Sequence, residues 1–355
     1  MSKIVFKTVK RDTPVTFPET LVFGRNFTDH MFEVNYIKDK GWVDPEIKKY
    51  QMLNISPAAM VFHYGQAIFE GLKAYLQDDG RVALFRADQN IARFNKSAKR
   101  LCMPEIDPGL MMDAIKSLVK VDKEWIPKKP GHSLYIRPFM VATDPFLGVR
   151  PSDLYKMMII LSPVGPYYPQ GFKPVPIMVT DKYVRAVRKG IGESKAAANY
   201  AASLMGQVDA YSQGFTQVLW LDAIEQKYIE EVGTMNIFIQ FKDEIVTPRL
   251  NGSILPGVTR SSVIRILKDW GYNIREREIS IDEVVDRHKN GDVVEIFGTG
   301  TAAVISSVSK LKFNDIEMKF GETEAGELGT KLYNEISGIQ NGNVPDRYGW
   351  LTFTD

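Results

Sequence analysis

The sequence predicts a mixed α/β protein in two domains, and three observations carry that prediction. The chain has 355 residues, more than a single domain of about 100–150 residues accounts for. Apolar runs of strand length alternate with segments of helical spacing in both halves. A stretch dense in Pro, Gly and Tyr, "GPYYPQGFKPVP" (165–176), interrupts this pattern near the middle and reads as a linker. The expected division is an N-terminal domain over 1–164, a linker over 165–176 and a C-terminal domain over 177–355.

Each element rests on its own pattern. The N-terminus, "MSKIVFKTVKRD", alternates apolar and basic residues; it lacks the apolar core of a signal peptide and reads as a strand. In "NIARFNKSAKRL" (90–101), Ile91, Phe94, Ala98 and Leu101 recur at helical spacing. "SLYIRPFMVAT" (133–143) and "YKMMIILSPV" (155–164) are strands with turn-forming borders. "IMVTDKYVR" opens the second half as a strand. A helix is expected from Asn199 to Tyr211, with Leu204, Val208 and Tyr211 on one face. Strands "QVLWLD" (217–222) and "YIEEVGTMNIFIQF" (228–241) come next. "NGSILPGVTRSSVIRIL" (251–267) is a turn running into a helix. "DVVEIFGTGTAAVISSV" (292–308) reads as strand, tight glycine turn and further apolar chain. No internal repeat or low-complexity tract is visible.

Composition excludes several classes of function. The net charge is +2, so there is no basic excess to neutralise nucleic-acid phosphates. One cysteine, Cys102, rules out a disulfide within the chain and a cysteine-based zinc site. The four histidines form no H-E-x-x-H pattern. The longest apolar runs, such as "MMIIL" (157–161), are far too short to span a bilayer. A cytoplasmic protein is expected, with small molecules rather than nucleic acid or membrane as its partners.

Four stretches of the second half point to chemistry. In "GESKAAANYAAS" (192–203), Lys195 stands among small residues that let a flat group approach the backbone. In "YIEEVGTM", Glu230 and Glu231 lie side by side in an apolar strand and must face opposite ways; a carboxylate turned inward needs a partner. "LPGVTRSS" places Val258 and Thr259 where a turn enters a helix, an arrangement that binds anions or is simply a capped helix. "FGTGTAA" offers glycines and threonine hydroxyls, a weaker signal of the same kind. A lysine amine, an anion cup and a buried carboxylate are together what pyridoxal phosphate requires.

The strings "FGRNFTDHMF" (23–32), "FHYGQAIFEGLKA" (62–74), "LYIRPFMVATDPFLGV" (134–149), "KAAANYAASL" (195–204), "EVGTMNIF" (231–238), "ILPGVTR" (254–260) and "GTGTAAV" (298–304) follow in order. On them the chain resembles the branched-chain amino acid aminotransferases, fold-type IV enzymes that use pyridoxal 5′-phosphate. The resemblance implies a smaller α/β N-terminal domain, a larger β-barrel-like C-terminal domain, and the cofactor at their interface. Lys195 resembles the catalytic lysine that forms the Schiff base and carries the proton. Tyr200 resembles the partner of the ring hydroxyl. Glu231 resembles the carboxylate at the pyridine nitrogen, with Glu230 its outward neighbour. Arg93 resembles the phosphate-binding arginine; Leu255, Val258, Thr259 and Thr301 would complete the cofactor site, with Thr234 beside the ring.

For substrate, the resemblance implies that backbone N–H groups of Thr301 and Ala302 bind the α-carboxylate. Phe27, Tyr64, Phe69, Tyr135 and Tyr167 would wall the side-chain pocket, and Arg137 would receive a second carboxylate. Arg137 also has a plain reading, as the partner of a structural carboxylate. Leu147 and Val149 would reach in from a partner subunit, which implies a homodimer. The implied reaction is transamination of leucine, isoleucine and valine with 2-oxoglutarate, a last step of synthesis or a first step of degradation. D-amino acid aminotransferases and aminodeoxychorismate lyases share the lysine and carboxylate and form the alternative. The intact set Lys195, Tyr200, Glu231 and Arg93 argues against a non-catalytic vitamin B6 carrier. Many family members have two glycines where this chain has Ala197 and Ala198, which fit only at negative φ. Cys102, between Leu101 and Met103, reads as a small buried hydrophobe.

Overall fold

The computed structural model describes residues 3–167, 172–321 and 324–354. The chain forms two compact units, each built on one large sheet. The first comprises Met1–Tyr167, Ser194–Ala197 and Gly338–Asp355; the second comprises Tyr168–Glu193 and Ala198–Ser337.

The expected two-part organisation is present, but its boundaries differ. The segment around Lys195 belongs to the first unit. There the Phe69 N–H donates to the Lys195 carbonyl at 3.1 Å, and Ala196 bridges Ile68. The C-terminal segment also returns to the first unit, where Leu351–Phe353 pairs with the sheet edge. The strand that opens the second half starts at Val175, inside the expected linker; residues 168–171 of that linker lie outside the described residues.

The first unit carries strands β1 (Val5–Lys7), β2 (His30–Ile37), β3 (Gly41–Lys49), β4 (Ala67–Phe69), β5 (Leu72–Leu76), β6 (Val82–Phe85), β7 (Ser133–Ala142) and β8 (Leu154–Val164). Their order is β1-β3-β2-β8-β7-β5-β6 and then Leu351–Phe353, with β4 beside β7. Helices α1 (Met60–Tyr64), α2 (Ala87–Arg100) and α3 (Pro108–Val121) belong to this unit. The predicted spacing of α2 holds: Ile91, Phe94 and Ala98 are buried in one core with Met111, Ile115 and Leu118 of α3 and Phe32 and Leu84 of the sheet. Full burial of a side chain such as Phe94 contributes about 1.5–3 kcal/mol.

The end of α2 overturns one expectation. The Cys102 N–H donates to the Lys99 carbonyl and the Met103 N–H to that of Ala98, the pairing of a Schellman turn. Such a turn needs a left-handed residue, and Cys102 has φ 54°. Its side chain is therefore turned out and exposed, while Met103 takes the buried place.

The second unit carries β9 (Val175–Thr180), β10 (Gln217–Leu221), β11 (Ile229–Val232), β12 (Met235–Phe241), β13 (Ile245–Pro248), β14 (Ile274–Arg277), β15 (Val293–Gly300), β16 (Val304–Phe313) and β17 (Ile316–Lys319). The order is β11-β10-β9-β16-β15-β12-β13-β14, with β17 on β16; pairing of β11 with β12 closes six strands into a barrel-like ring. Its helices are α4 (Ala197–Ala202) from its second residue on, α5 (Leu204–Ser212), α6 (Val258–Asp269), α7 (Ile281–Lys289) and α8 (Glu327–Asn341) up to Ser337.

Three expectations change here. The single strand over 228–241 is a hairpin, turned at Gly233 (φ 57°) and Thr234, so Val232 faces Met235. The expected helix from Asn199 is two helices broken at Ser203. Leu204, Val208 and Tyr211 share a face as predicted, but it is exposed; Gly206 and Ala210 are the buried residues of α5, and Ala210 packs with Trp220. Gly298 and Gly300 sit in β15 and not in the turn; Met235 presses on the place where either Cβ would be, and Val232 on that of Gly298. The turn itself is Thr301–Ala303.

Candidate active site

In the first unit, the backbone of Lys195 is pinned at both ends. Its N–H donates to Ser97 Oγ of α2 at 2.9 Å, and its carbonyl accepts from Phe69. Its Nζ lies 5.1 Å from the centre of the Phe69 ring, within range of a cation–π contact. Arg93 projects from the same helix, two turns before its end, and is gripped by Glu70. Nε reaches Oε1 at 2.6 Å and Nη2 reaches Oε2 at 2.9 Å. Asn90 and the Gly71 N–H also donate to Oε2, at 2.8 and 3.1 Å. Glu70 is wholly buried. Burial opposes its ionisation, but the charge and hydrogen bonds of Arg93, with a contribution from Lys195, outweigh it and hold the carboxyl below its ordinary range.

Beside this cluster the strands present aromatic and cationic groups. Arg137 on β7 donates from Nη2 to the Tyr135 hydroxyl at 3.0 Å. Its guanidinium carbon lies 4.6 Å from the Phe69 ring centre and 5.2 Å from that of Tyr135. Among the described residues its Nε is buried without a hydrogen-bond partner, and its guanidinium forms no ion pair, so the plain structural reading finds no support. Phe23 packs edge-on against Tyr135 and Tyr167. Residue 71 is glycine because the Tyr135 hydroxyl occupies the space a Cβ would need. Phe27 stacks on Tyr50, and the Tyr64 hydroxyl donates to the Leu147 carbonyl. Leu147 and Val149 stand 64% and 85% exposed.

The second unit gathers a complementary set. Tyr200, Glu231, Thr234 and Leu255 line one pocket, together with Arg185, Asn199, Ser203 and Gly233. Glu231 is buried; Oε1 accepts from the Leu255 N–H at 2.7 Å, and Oε2 lies 3.1 Å from Arg185 Nε. Glu230 faces the other way, as the strand requires, yet it is buried too and not the solvated neighbour expected. Its partners are the Ser253 hydroxyl and Asn251. Burial pushes its pKa up against those bonds. Ala197 and Ala198 open α4, and neither has positive φ, so their methyl groups are accommodated.

Val258 and Thr259 form the first turn of α6, whose N-cap, Gly257, makes no side-chain cap. A Cβ on Gly257 would strike Asn236 Oδ1, whose amide nitrogen holds the Leu255 carbonyl at 2.9 Å. Thr301 and Ala302 lie in the β15–β16 turn. Thus Lys195, Arg93, Phe69, Tyr135 and Arg137 are placed in one unit, and Tyr200, Glu231, Thr234, Leu255, Val258, Thr259, Thr301 and Ala302 in the other. Sequence reasoning missed Glu70 and Arg185. Glu70 carries the same signal as Glu231, a carboxylate within an apolar strand-like run, "AIFEGL"; Arg185 in "DKYVR" carries none.

A family model for amino-transferase class IV matches residues 67–311. "Branched-chain-amino-acid aminotransferase 2" of Bacillus subtilis (strain 168) is 57% identical over 96% of this chain and 93% of its own. A "Probable branched-chain-amino-acid aminotransferase" of Staphylococcus aureus (strain MRSA252) is 52% identical over 96% of both chains. The fold is similar to that of the Escherichia coli branched-chain amino acid aminotransferase: TM-score 0.73 and 25% identity, over 92% of this chain and 99% of that one. The chain belongs to the class IV aminotransferases, and within them to the branched-chain-amino-acid aminotransferase family.

Among the described residues no helix is long and apolar enough to cross a membrane, and no group of three His, Cys, Asp or Glu could hold a metal.

Proposed function

We propose that this enzyme transfers the amino group of leucine, isoleucine or valine to 2-oxoglutarate, with pyridoxal 5′-phosphate as its cofactor. The observation that carries the reading is Glu231, a buried carboxylate fixed by Arg185 and the Leu255 N–H in a pocket with Tyr200 and Thr234. That donor set fits a protonated ring nitrogen and a ring hydroxyl. Arg93, held edge-on by Glu70, and the helix start at Val258 and Thr259 suit a phosphate. The reading rests on the family.

Bound, the cofactor supplies an electron sink for charge that develops at the substrate α-carbon. Lys195 Nζ moves the proton there, and it accepts it only as a neutral amine. Fixing the Lys195 backbone to Ser97 and Phe69 gives that amine a rigid base. Glu231 holds the ring-nitrogen proton, and Tyr200 orients the ring through its hydroxyl. The rings of Phe69 and Tyr135 receive an aliphatic side chain; Arg137 and the Tyr135 hydroxyl receive the second carboxylate of glutamate.

The same reading includes a homodimer in the cytoplasm. Support for the dimer comes from apolar side chains left in the open: Leu147 and Val149 on one unit, and Leu204, Met205, Val208 and Tyr211 on the other. The purified protein should absorb visible light, lose that band on borohydride treatment, and turn over leucine with 2-oxoglutarate. A colourless protein, or one inactive on all three branched-chain amino acids when cofactor is added, would overturn the proposal.

A further inference from the structure

We propose that Arg185 is a positioning residue for this reaction: it holds Glu231 as an anion, in one orientation, for the ring nitrogen of the cofactor. The proposal rests on the function given above.

Arg185 lies beyond the end of β9 and is almost fully buried. Its own orientation is set by backbone: Nη2 donates to the carbonyls of Gly192, at 3.3 Å, and of Ser253. Its Nε lies 3.1 Å from Glu231 Oε2, a contact of ion-pair distance without hydrogen-bond geometry. The other oxygen, Oε1, is taken by the Leu255 N–H. Each carboxylate oxygen therefore has its own holder, one cationic and one backbone.

Burial alone drives a carboxyl toward its neutral form, and a neutral carboxyl cannot serve as the anionic partner of a protonated pyridine. The adjacent residue is a built-in control. Glu230 lies on the same strand and is as deeply buried, 2% exposed against 3%. It faces the opposite way, and its hydrogen-bond partners, Ser253 and Asn251, are neutral; its Oε2 has no hydrogen-bond partner among the described residues. Asp222 bears on it unfavourably and Arg185 favourably, and burial prevails. What Glu231 has and Glu230 lacks is an arginine in contact and a backbone N–H on its other oxygen.

The other groups around Glu231 do not replace it. Tyr200 and Asn199 come from α4 and Ser203 from the break after it. Trp220 on β10 and Asn236 on β12 stand opposite on the sheet. Arg260 on α6 feels the charge of Glu231, but its guanidinium is committed to Glu276 and the Pro248 carbonyl, both at 2.9 Å.

The test compares Arg185→Gln, Arg185→Lys and wild-type holoenzyme. Arg185→Gln is expected to keep its cofactor, to lose roughly ten-fold or more of leucine turnover at pH 7, and to regain rate as pH rises and Glu231 ionises. Arg185→Lys keeps the charge and is expected to keep the wild-type pH profile. Isotope-edited infrared spectra, with Glu231→Gln as reference, give a readout independent of turnover. They should show Glu231 ionised at pH 7 in wild type and neutral in Arg185→Gln. A carboxylic-acid band for Glu231 in wild type at pH 7 would overturn the proposal, and that measurement stands even if Arg185→Gln fails to fold. So would a wild-type pH profile in Arg185→Gln, or a profile in Arg185→Lys equal to that of Arg185→Gln. Failure of the functional reading would show separately, as wild-type protein inactive on leucine.

Discussion

Each unit buries one arginine–glutamate pair next to its functional side chains, and the two pairs are built with opposite polarity. In the first, the acid is the holder: Glu70 accepts from Arg93, Asn90 and the Gly71 N–H. The arginine is the member assigned to a ligand. In the second, the base is the holder: Arg185 is fixed by two backbone carbonyls, and Glu231 is the member assigned to a ligand. A buried ion pair gives little net stability, because desolvation offsets attraction. What it can give is a fixed charge of chosen sign, ready before the ligand arrives. The first unit thus prepares for an anion and the second for a cation.

The largest effect tests whether the lysine of the first unit is the reactive group. Lys195→Ala should lower turnover by roughly a thousand-fold or more, since anchor and proton carrier are lost together. Steady-state rates with leucine decide it, and near-normal activity would break the comparison at its root. Next comes the holder of the first pair. Glu70→Ala takes the forked partner from a buried guanidinium and should cost about 3–5 kcal/mol in urea unfolding. A loss under about 1 kcal/mol, as for an exposed pair, would mean that Glu70 is not the holder.

Lys73 adds a charge that burial opposes. It is buried on β5, and burial lowers its pKa from 10.5 to about 8. Between those values the unfolded chain holds a proton that the folded chain has lost, so the stability due to this residue rises with pH across that window. Lys73→Met should therefore be more stable than wild type at pH 7, by on the order of 2–3 kcal/mol at most. The gain should shrink by pH 10. A pH-independent difference in thermal unfolding would refute this. A smaller effect is expected at Arg137, on the strand beside β5. Arg137→Ala should slow the glutamate half-reaction roughly ten-fold more than the leucine half-reaction, because only glutamate brings a second carboxylate. Equal losses in single-turnover experiments would return Arg137 to a structural role.

Much of this was legible in the sequence where the signal is local. The spacing of Ile91, Phe94 and Ala98 gave α2, and the apolar runs at 133–143 and 155–164 gave β7 and β8. The quoted strings raised the expectation for Lys195, Tyr200 and Glu231, and the structure places the last two in one pocket. What was missed depends on contacts remote along the chain. The return of Lys195 to the first unit rests on Ile68, Phe69 and Ser97, and nothing in "GESKAAANYAAS" announces them. The hairpin at Gly233 was hidden because "VGTM" lacks the Asn-Gly or Asp-Gly signature and both flanks are apolar. Arg185 was hidden because its meaning lies in Glu231, on another strand. The apolar face of α5 was read correctly as a face, but spacing cannot say whether a face is covered.

The smallest expected effect concerns Cys102, which closes the helix carrying Arg93. Its thiol is exposed, so peroxide can reach it. Its backbone, by contrast, is tied down: the Cys102 and Met103 N–H groups cap α2, and the Tyr155 hydroxyl donates to the Cys102 carbonyl at 3.3 Å. Oxidation changes only the outward side chain and leaves these bonds in place. Arg93 is also held by Glu70 well inside the helix, not by its end. Mild peroxide should therefore leave the initial rate with leucine unchanged within error, in wild type and in Cys102→Ser alike, and added dithiol should not raise it. A reversible loss of activity that disappears in Cys102→Ser would show that the end of α2 moves Arg93. Glu70 would then be too weak a holder to define the first unit's charge, and the symmetry between the two pairs would fail on that side.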